Sequence, residues 1–105
     1  MGSPPLLVTR TAAPAGLRLT GEIDESNVDQ VAAALAEHRD GRRPLHLDVS
    51  EVTFCDVSGM RAVVSSARER PIVLHGIPAQ LEKILNLTGW AEAPGLSFCG
   101  CKPEI

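Results

Sequence analysis

Apolar and polar positions alternate with period two in two early stretches of the chain. Leu6-Leu7-Val8-Thr9 reads as a short strand, and Leu17-Arg18-Leu19-Thr20-Gly21-Glu22-Ile23 as a longer one. Pro14-Ala15-Gly16 lies between them as a turn, so the pair predicts an antiparallel hairpin. Gly21 inside the second strand predicts a bulge or a close backbone approach. The period then changes. Val28, Val31, Ala32 and Leu35 fall on one helical stripe, with Ser26 or Asn27 as the N-cap and Asp40-Gly41 as the stop. Leu45-His46-Leu47-Asp48-Val49 alternates again as a strand. A polar turn at Ser50-Glu51 and the run Val52-Thr53-Phe54-Cys55 follow. Met60, Val63, Val64 and Ala67 form a second helical stripe on a helix that opens at Ser58-Gly59 and ends at Arg68-Glu69-Arg70-Pro71. Ile72-Val73-Leu74 reads as a central strand covered on both faces. Pro78, near the first helical position, starts a third helix with Leu81, Ile84, Leu85 and Thr88 on its buried face and Gly89 at its end. Leu96-Ser97-Phe98-Cys99 is a last short strand.

The order β-β-α-β-α-β-α-β predicts an α/β fold, a mainly parallel sheet with an N-terminal hairpin and packed helices. The expected unit is one domain over residues 1–105, with its core at about 6–98 and short flexible termini.

Composition narrows the function classes. Lys plus Arg is 10 against 13 Asp plus Glu, a net charge of −3, which argues against a surface that neutralises nucleic-acid phosphates. Aromatics are 3% of the chain (Phe54, Phe98 and Trp90), too few for base-stacking platforms or a large aromatic-lined pocket. No apolar run reaches the length of about 18 residues that a membrane span needs, and the first residues lack the pattern of a signal peptide. Cys55, Cys99 and Cys101 are odd in number, and Cys99-Gly-Cys101 lacks the spacing of a redox or zinc pair. A reduced, cytoplasmic protein with no metal is the expectation.

The chemistry inventory is short. His38, His46 and His75 are the candidate bases, no G-x-S-x-G elbow surrounds Ser58, and neither a phosphate-cradling loop nor a dinucleotide fingerprint occurs. No self-contained catalytic site is expected. The segment Leu45 to Val64 is different: a strand runs through a tight turn into a helix opening at Ser58-Gly59. Ser58 there reads as an N-cap whose oxygen accepts a first-turn N–H. The same geometry suits a phosphate, because free N–H groups and the dipole of a helix N-terminus favour anions. The two roles are compatible.

Leu47-Asp48-Val49-Ser50-Glu51-Val52-Thr53-Phe54-Cys55-Asp56-Val57-Ser58-Gly59-Met60-Arg61 resembles the signature of the STAS family, roughly L-D-L-S-x-V-x-F-I-D-S-S-G-L. Gly21-Glu22-Ile23-Asp24 is similar to that family's G-E-L-D. The nearest branch is the bacterial anti-anti-sigma factors, also called anti-sigma factor antagonists. The resemblance implies a STAS-like fold over the whole element order and a partner-switching regulator of transcription, not an enzyme. It implies that Ser58 is a phosphoacceptor and that Asp24, Asp56, Val57, Gly59 and Met60 bind the partner or orient the acceptor. Asp48 is expected to fix its turn through backbone bonds.

The implied partner is a serine-kinase anti-sigma factor of the GHKL ATPase type, which brings its own ATP and Mg²⁺; this chain needs no cofactor. A phosphatase would reset the switch, and the chain itself would be a monomer or weak homodimer without nucleic-acid or membrane contacts. Val57 stands where the family has the first serine of D-S-S-G, so one loop hydroxyl is missing. Three other readings remain open: a stand-alone STAS subunit of an ABC-type transport complex, a STAS binding module that is never phosphorylated, and an enzyme with Ser58 as nucleophile and His46 or His75 as base.

Overall fold

The computed structural model describes residues 6–12, 15–37 and 44–99. Strand β1 (Leu7–Ala12) and β2 (Ala15–Ile23) are followed by helix α1 (Val28–Glu37), β3 (Leu45–Cys55), α2 (Val57–Glu69), β4 (Ile72–His75), α3 (Ala79–Thr88), a single 3-10 turn (Trp90–Glu92) and β5 (Leu96–Phe98). The strands form one sheet in the order β1-β2-β3-β4-β5. β1 and β2 are antiparallel, and every later pairing is parallel. The expected element order and sheet type are therefore observed, with the 3-10 turn added. Pro14, the stop at Asp40-Gly41, His38 and Cys101 lie outside the described residues.

Side-chain alternation explains why the sheet has one greasy and one polar face. Leu17, Leu47 and Leu74 stand in one row across β2, β3 and β4, and Leu45 beside Ile72 in another. All five are buried, together with Val31 and Leu35 of α1, Met60, Val63, Val64 and Ala67 of α2, and Leu81 and Leu85 of α3. Burial of each such aliphatic side chain is worth about 1.5–3 kcal/mol, so this layer holds the helices to the sheet. The other face carries the row Thr9, Arg18, Asp48, His75. There Arg18 Nε donates to Asp48 Oδ2 at 3.0 Å. Because that pair is partly solvated, it contributes at most about 1 kcal/mol.

The same asymmetry corrects one expectation. β4 is not covered on both faces: Ile72 and Leu74 are buried, but Val73 and His75 are only half-buried, because they look away from the helices. The turn expected at Ser50-Glu51 is also absent. β3 runs unbroken from Leu45 to Cys55 and absorbs the irregularity as register shifts against β2, between Arg18 and Thr20 and again between Gly21 and Glu22. Asp48 makes the local bonds a turn would have made: its Oδ1 accepts from the Ser50 N–H at 2.9 Å and hydroxyl at 2.6 Å. The bulge expected at Gly21 falls at the second shift. Pro78 caps α3 rather than occupying its first turn, since its backbone is extended (φ −66°, ψ 155°).

Two glycines with nearly equal positive φ separate conformational cost from packing cost. Gly89 (φ 80°) closes α3 in open space. Gly95 (φ 82°) leads into β5, where a Cβ would lie 2.0 Å from the Ala67 carbonyl oxygen of α2. Gly89→Ala is expected to cost about 1–2 kcal/mol, the left-handed penalty alone. Gly95→Ala should cost clearly more, because the backbone of α2 or β5 must shift as well. Equal midpoint shifts in urea denaturation would contradict this packing account.

Candidate functional site

The site grows from the ends of β2 and β3. Ile23 and Cys55 are register partners, and the Asp56 N–H still donates to the Ile23 carbonyl at 3.1 Å. Asp56 then turns the chain out of the sheet with extended backbone (φ −92°, ψ −178°) and becomes the N-cap of α2. Its Oδ1 accepts from the Gly59 N–H at 2.9 Å, and its carbonyl accepts from the Met60 N–H at 3.1 Å. The expected opening of this helix at Ser58-Gly59 is thus corrected. Ser58 sits at the second helical position and is not the cap, because the aspartate two residues earlier already bonds the first-turn amide.

That shift frees the Ser58 hydroxyl. The side chain is half-buried, with no hydrogen bond among the described residues. The N–H groups of Val57 and Ser58 belong to the first turn, where intrahelical acceptors are lacking. Gly59 sets the depth of this turn: a Cβ there would lie 2.4 Å from Ile23 Cγ2 and 3.0 Å from Cys55 Sγ. Gly59 and Met60 are both buried, Met60 to 2% exposure. They can orient the helix opening but present no surface to a partner. Val57 (48% exposed) and Phe54 (43%) do present one.

Asp24 follows Ile23 as Asp56 follows Cys55, so the two carboxylates flank the end of the same pair of strands. Asp24 Oδ1 accepts from the Ser26 hydroxyl at 2.5 Å and the Ser26 N–H at 2.9 Å. These bonds hold the Asp24 carboxyl below the usual carboxylate range, hence ionised at neutral pH. Asn27 locks the turn from both sides, its Oδ1 accepting from the Asp24 N–H at 3.0 Å and its Nδ2 donating to the Glu22 carbonyl at 2.8 Å. Its side chain is thereby occupied, and only its backbone carbonyl opens α1, accepting from Gln30 at 2.9 Å and Val31 at 3.2 Å. Neither Asp24 nor Asp56 bonds Ser58.

One residue at the site had no sequence signal. Gln80, on the first turn of α3, accepts from the Cys55 N–H at 3.1 Å and donates to the Cys55 carbonyl at 2.9 Å. The candidate bases are placed elsewhere. His46 and His75 lie on the polar sheet face, and His46 Nδ1 meets His75 Nε2 at 2.8 Å with ring centroids 5.1 Å apart. Neither bonds Ser58. Burial and the neighbouring His46 lower the His75 pKa, with Asp48 opposing. Cys55 is buried beside the site, and burial plus the Asp56 charge push its thiol up to about 12, so it is no nucleophile at neutral pH. Cys99 is half-buried at the far edge.

Three comparisons bear on this arrangement. Residues 6–97 match the family model described as Mlab, STAS domain. An anti-sigma factor antagonist from Mycobacterium paratuberculosis is similar in structure, with TM-score 0.68 and 20% identity over 89% of this chain and 84% of that one. The anti-sigma factor antagonist SpoIIAA in its unphosphorylated form gives TM-score 0.64 and 17% identity over 93% of this chain and 90% of that one. At these identities the likeness to the two solved structures is one of fold. No curated protein matches the sequence.

The cap assignment separates two neighbouring residues. Asp56→Ala should lower stability by about 0.5–2 kcal/mol. Ser58→Ala, with no bond to lose, should stay within about 0.5 kcal/mol of the parent. Chemical denaturation of both variants checks this, and the opposite ranking would return the cap to Ser58. The histidine pair sets a pH dependence. The fold disfavours protonated His75, so the unfolded chain takes up the proton first. Stability is therefore complete above the ordinary histidine value of 6.5 and declines as pH falls from there toward the lowered folded pKa. The decline between pH 7 and about 5 should be shallower in His75→Gln; an unchanged slope would reject the assignment.

Proposed function

The chain belongs to the STAS domain family, and from that membership we propose that it is an anti-sigma factor antagonist switched by phosphorylation of Ser58. The observation that carries the reading is the Ser58 hydroxyl. It stands without a hydrogen bond among the described residues, at a helix opening that also carries the exposed Val57 and the carboxylate of Asp56, with Phe54 exposed just before it and Asp24 at the end of the neighbouring strand.

In this reading the unmodified face docks on an anti-sigma factor that is also a serine kinase. That partner supplies ATP, Mg²⁺ and the base, and this chain supplies a held hydroxyl. Two opposing fields act on the product. The helix N-terminus stabilises an anion by about 0.3–1 kcal/mol at an exposed site, so the fold tolerates the phosphoryl group. At the interface the same group adds about −1.5 to −2 charges beside two carboxylates and must lose its water on docking. The second effect is the larger, and the complex separates without a large change in the fold. No helix among the described residues is long and apolar enough to cross a membrane. The reading places the protein in the cytoplasm with its kinase.

The test is capture of the partner from the native host, followed by phosphosite mapping and calorimetry with the captured protein. One phosphate per chain on Ser58 is expected. Ser58→Glu should weaken binding at least about tenfold, or 1.4 kcal/mol, while Ser58→Ala retains it. Label on another residue, or equal affinity for both variants, would reject the switch. Capture of a transporter ATPase in place of a kinase would support the transport-complex reading instead.

A further inference from the structure

We infer that Gln80 is the positioning residue for the Ser58 turn, acting as a one-residue substitute for a missing strand. The inference rests on the reading of Ser58 as the phosphoacceptor. Its basis is the length mismatch between β3 and β4: β4 pairs only with Leu45–Asp48, so the rest of β3 has no strand on that side. A strand edge left this way carries backbone donors and acceptors that need partners. At Cys55, the last residue of β3, the Gln80 amide supplies both, taking the N–H at 3.1 Å and giving to the carbonyl at 2.9 Å.

The placement matters because of what the next bond does. The peptide unit joining Cys55 to Asp56 has its carbonyl held by Gln80 and its N–H held by the Ile23 carbonyl at 3.1 Å. Two different elements, α3 and β2, thus fix the plane of one peptide from opposite sides. The Asp56 backbone leaves from that plane, Asp56 caps α2 through Gly59, and Ser58 lies between them. Without Gln80 the plane is held on one side only, and the cap and the serine hydroxyl inherit the freedom. The amide is suited to the task because it alone among side chains of that length both donates and accepts side by side. A carboxylate would accept from Cys55 N–H but oppose its carbonyl.

The test compares wild type with Gln80→Met, which keeps length and apolar stem but makes no such bonds, and with Gln80→Glu. Amide hydrogen exchange is the first readout. Cys55 and Gly59 are expected to exchange at least about tenfold faster in Gln80→Met, and Gly59 also in Gln80→Glu, where the carboxylate still accepts from the Cys55 N–H but repels its carbonyl, with Leu47 in the sheet centre unchanged in both. Phosphorylation of Ser58 by the captured kinase is the second. kcat should fall about tenfold with KM within about twofold, because the exposed docking residues remain while the hydroxyl loses its set position. Unchanged Cys55 and Gly59 exchange would overturn the inference, and so would loosened amides with wild-type kcat and KM. Failure of the wild-type chain to accept phosphate would count against the Ser58 reading alone; the exchange result would then decide whether Gln80 positions the turn.

Discussion

The first turn of α2 lies so close to the end of β2 that no side chain fits between them, and most of the site depends on that approach. Gly59 permits it, Ile23 and Cys55 form the floor, and Met60 and Val63 extend the contact into the core. A helix seated this deeply has its orientation set by packing, where density leaves little room for adjustment. Its N-terminal N–H groups then face outward at a fixed place beside Asp24. The polar features of the site are consequences of an apolar fit beneath them.

Much of this was legible in the sequence. Period-two and period-3.6 stripes located the strands and helices, and the glycine ending α3 is where its left-handed conformation requires it. The motif from Leu47 to Arg61 spans the strand, turn and helix opening at which the candidate site lies. The errors share a cause. The expected turn at Ser50-Glu51 and the expected cap at Ser58 both came from polar residues taken at face value. In the fold, a side chain from a neighbouring position had already met the backbone's needs: Asp48 bonds Ser50, and Asp56 bonds Gly59. β4 looked like a strand buried on two sides because Val73 is apolar. Only the placement of all three helices on one face shows otherwise. Gln80 could not have been found, since its role comes from a contact across 25 positions of sequence.

Asp56 carries two tasks that pull in different directions. As a cap it accepts from the Gly59 amide, which stabilises α2. As a neighbour of Ser58 it places negative charge where a phosphate would arrive. The cap bond commits Oδ1 to the Gly59 amide. Asp24 is held by Ser26 through two exposed hydrogen bonds. Both carboxylates are thus oriented by local bonds, so a partner of the kind proposed would not have to immobilise them.

The two borders of the sheet are unequal. On one side β5 contributes three residues, too little backbone to template another chain. On the other, the outer strand β1 is six residues long, Leu7–Ala12. Of the two outer strands among the described residues, β1 has the longer backbone for strand addition by a second copy or an extended peptide. Growth there would lengthen the sheet away from β3, leaving the serine-bearing corner uncovered. Under the switch proposed for Ser58, a strand added at the hairpin would leave the hydroxyl open to a kinase.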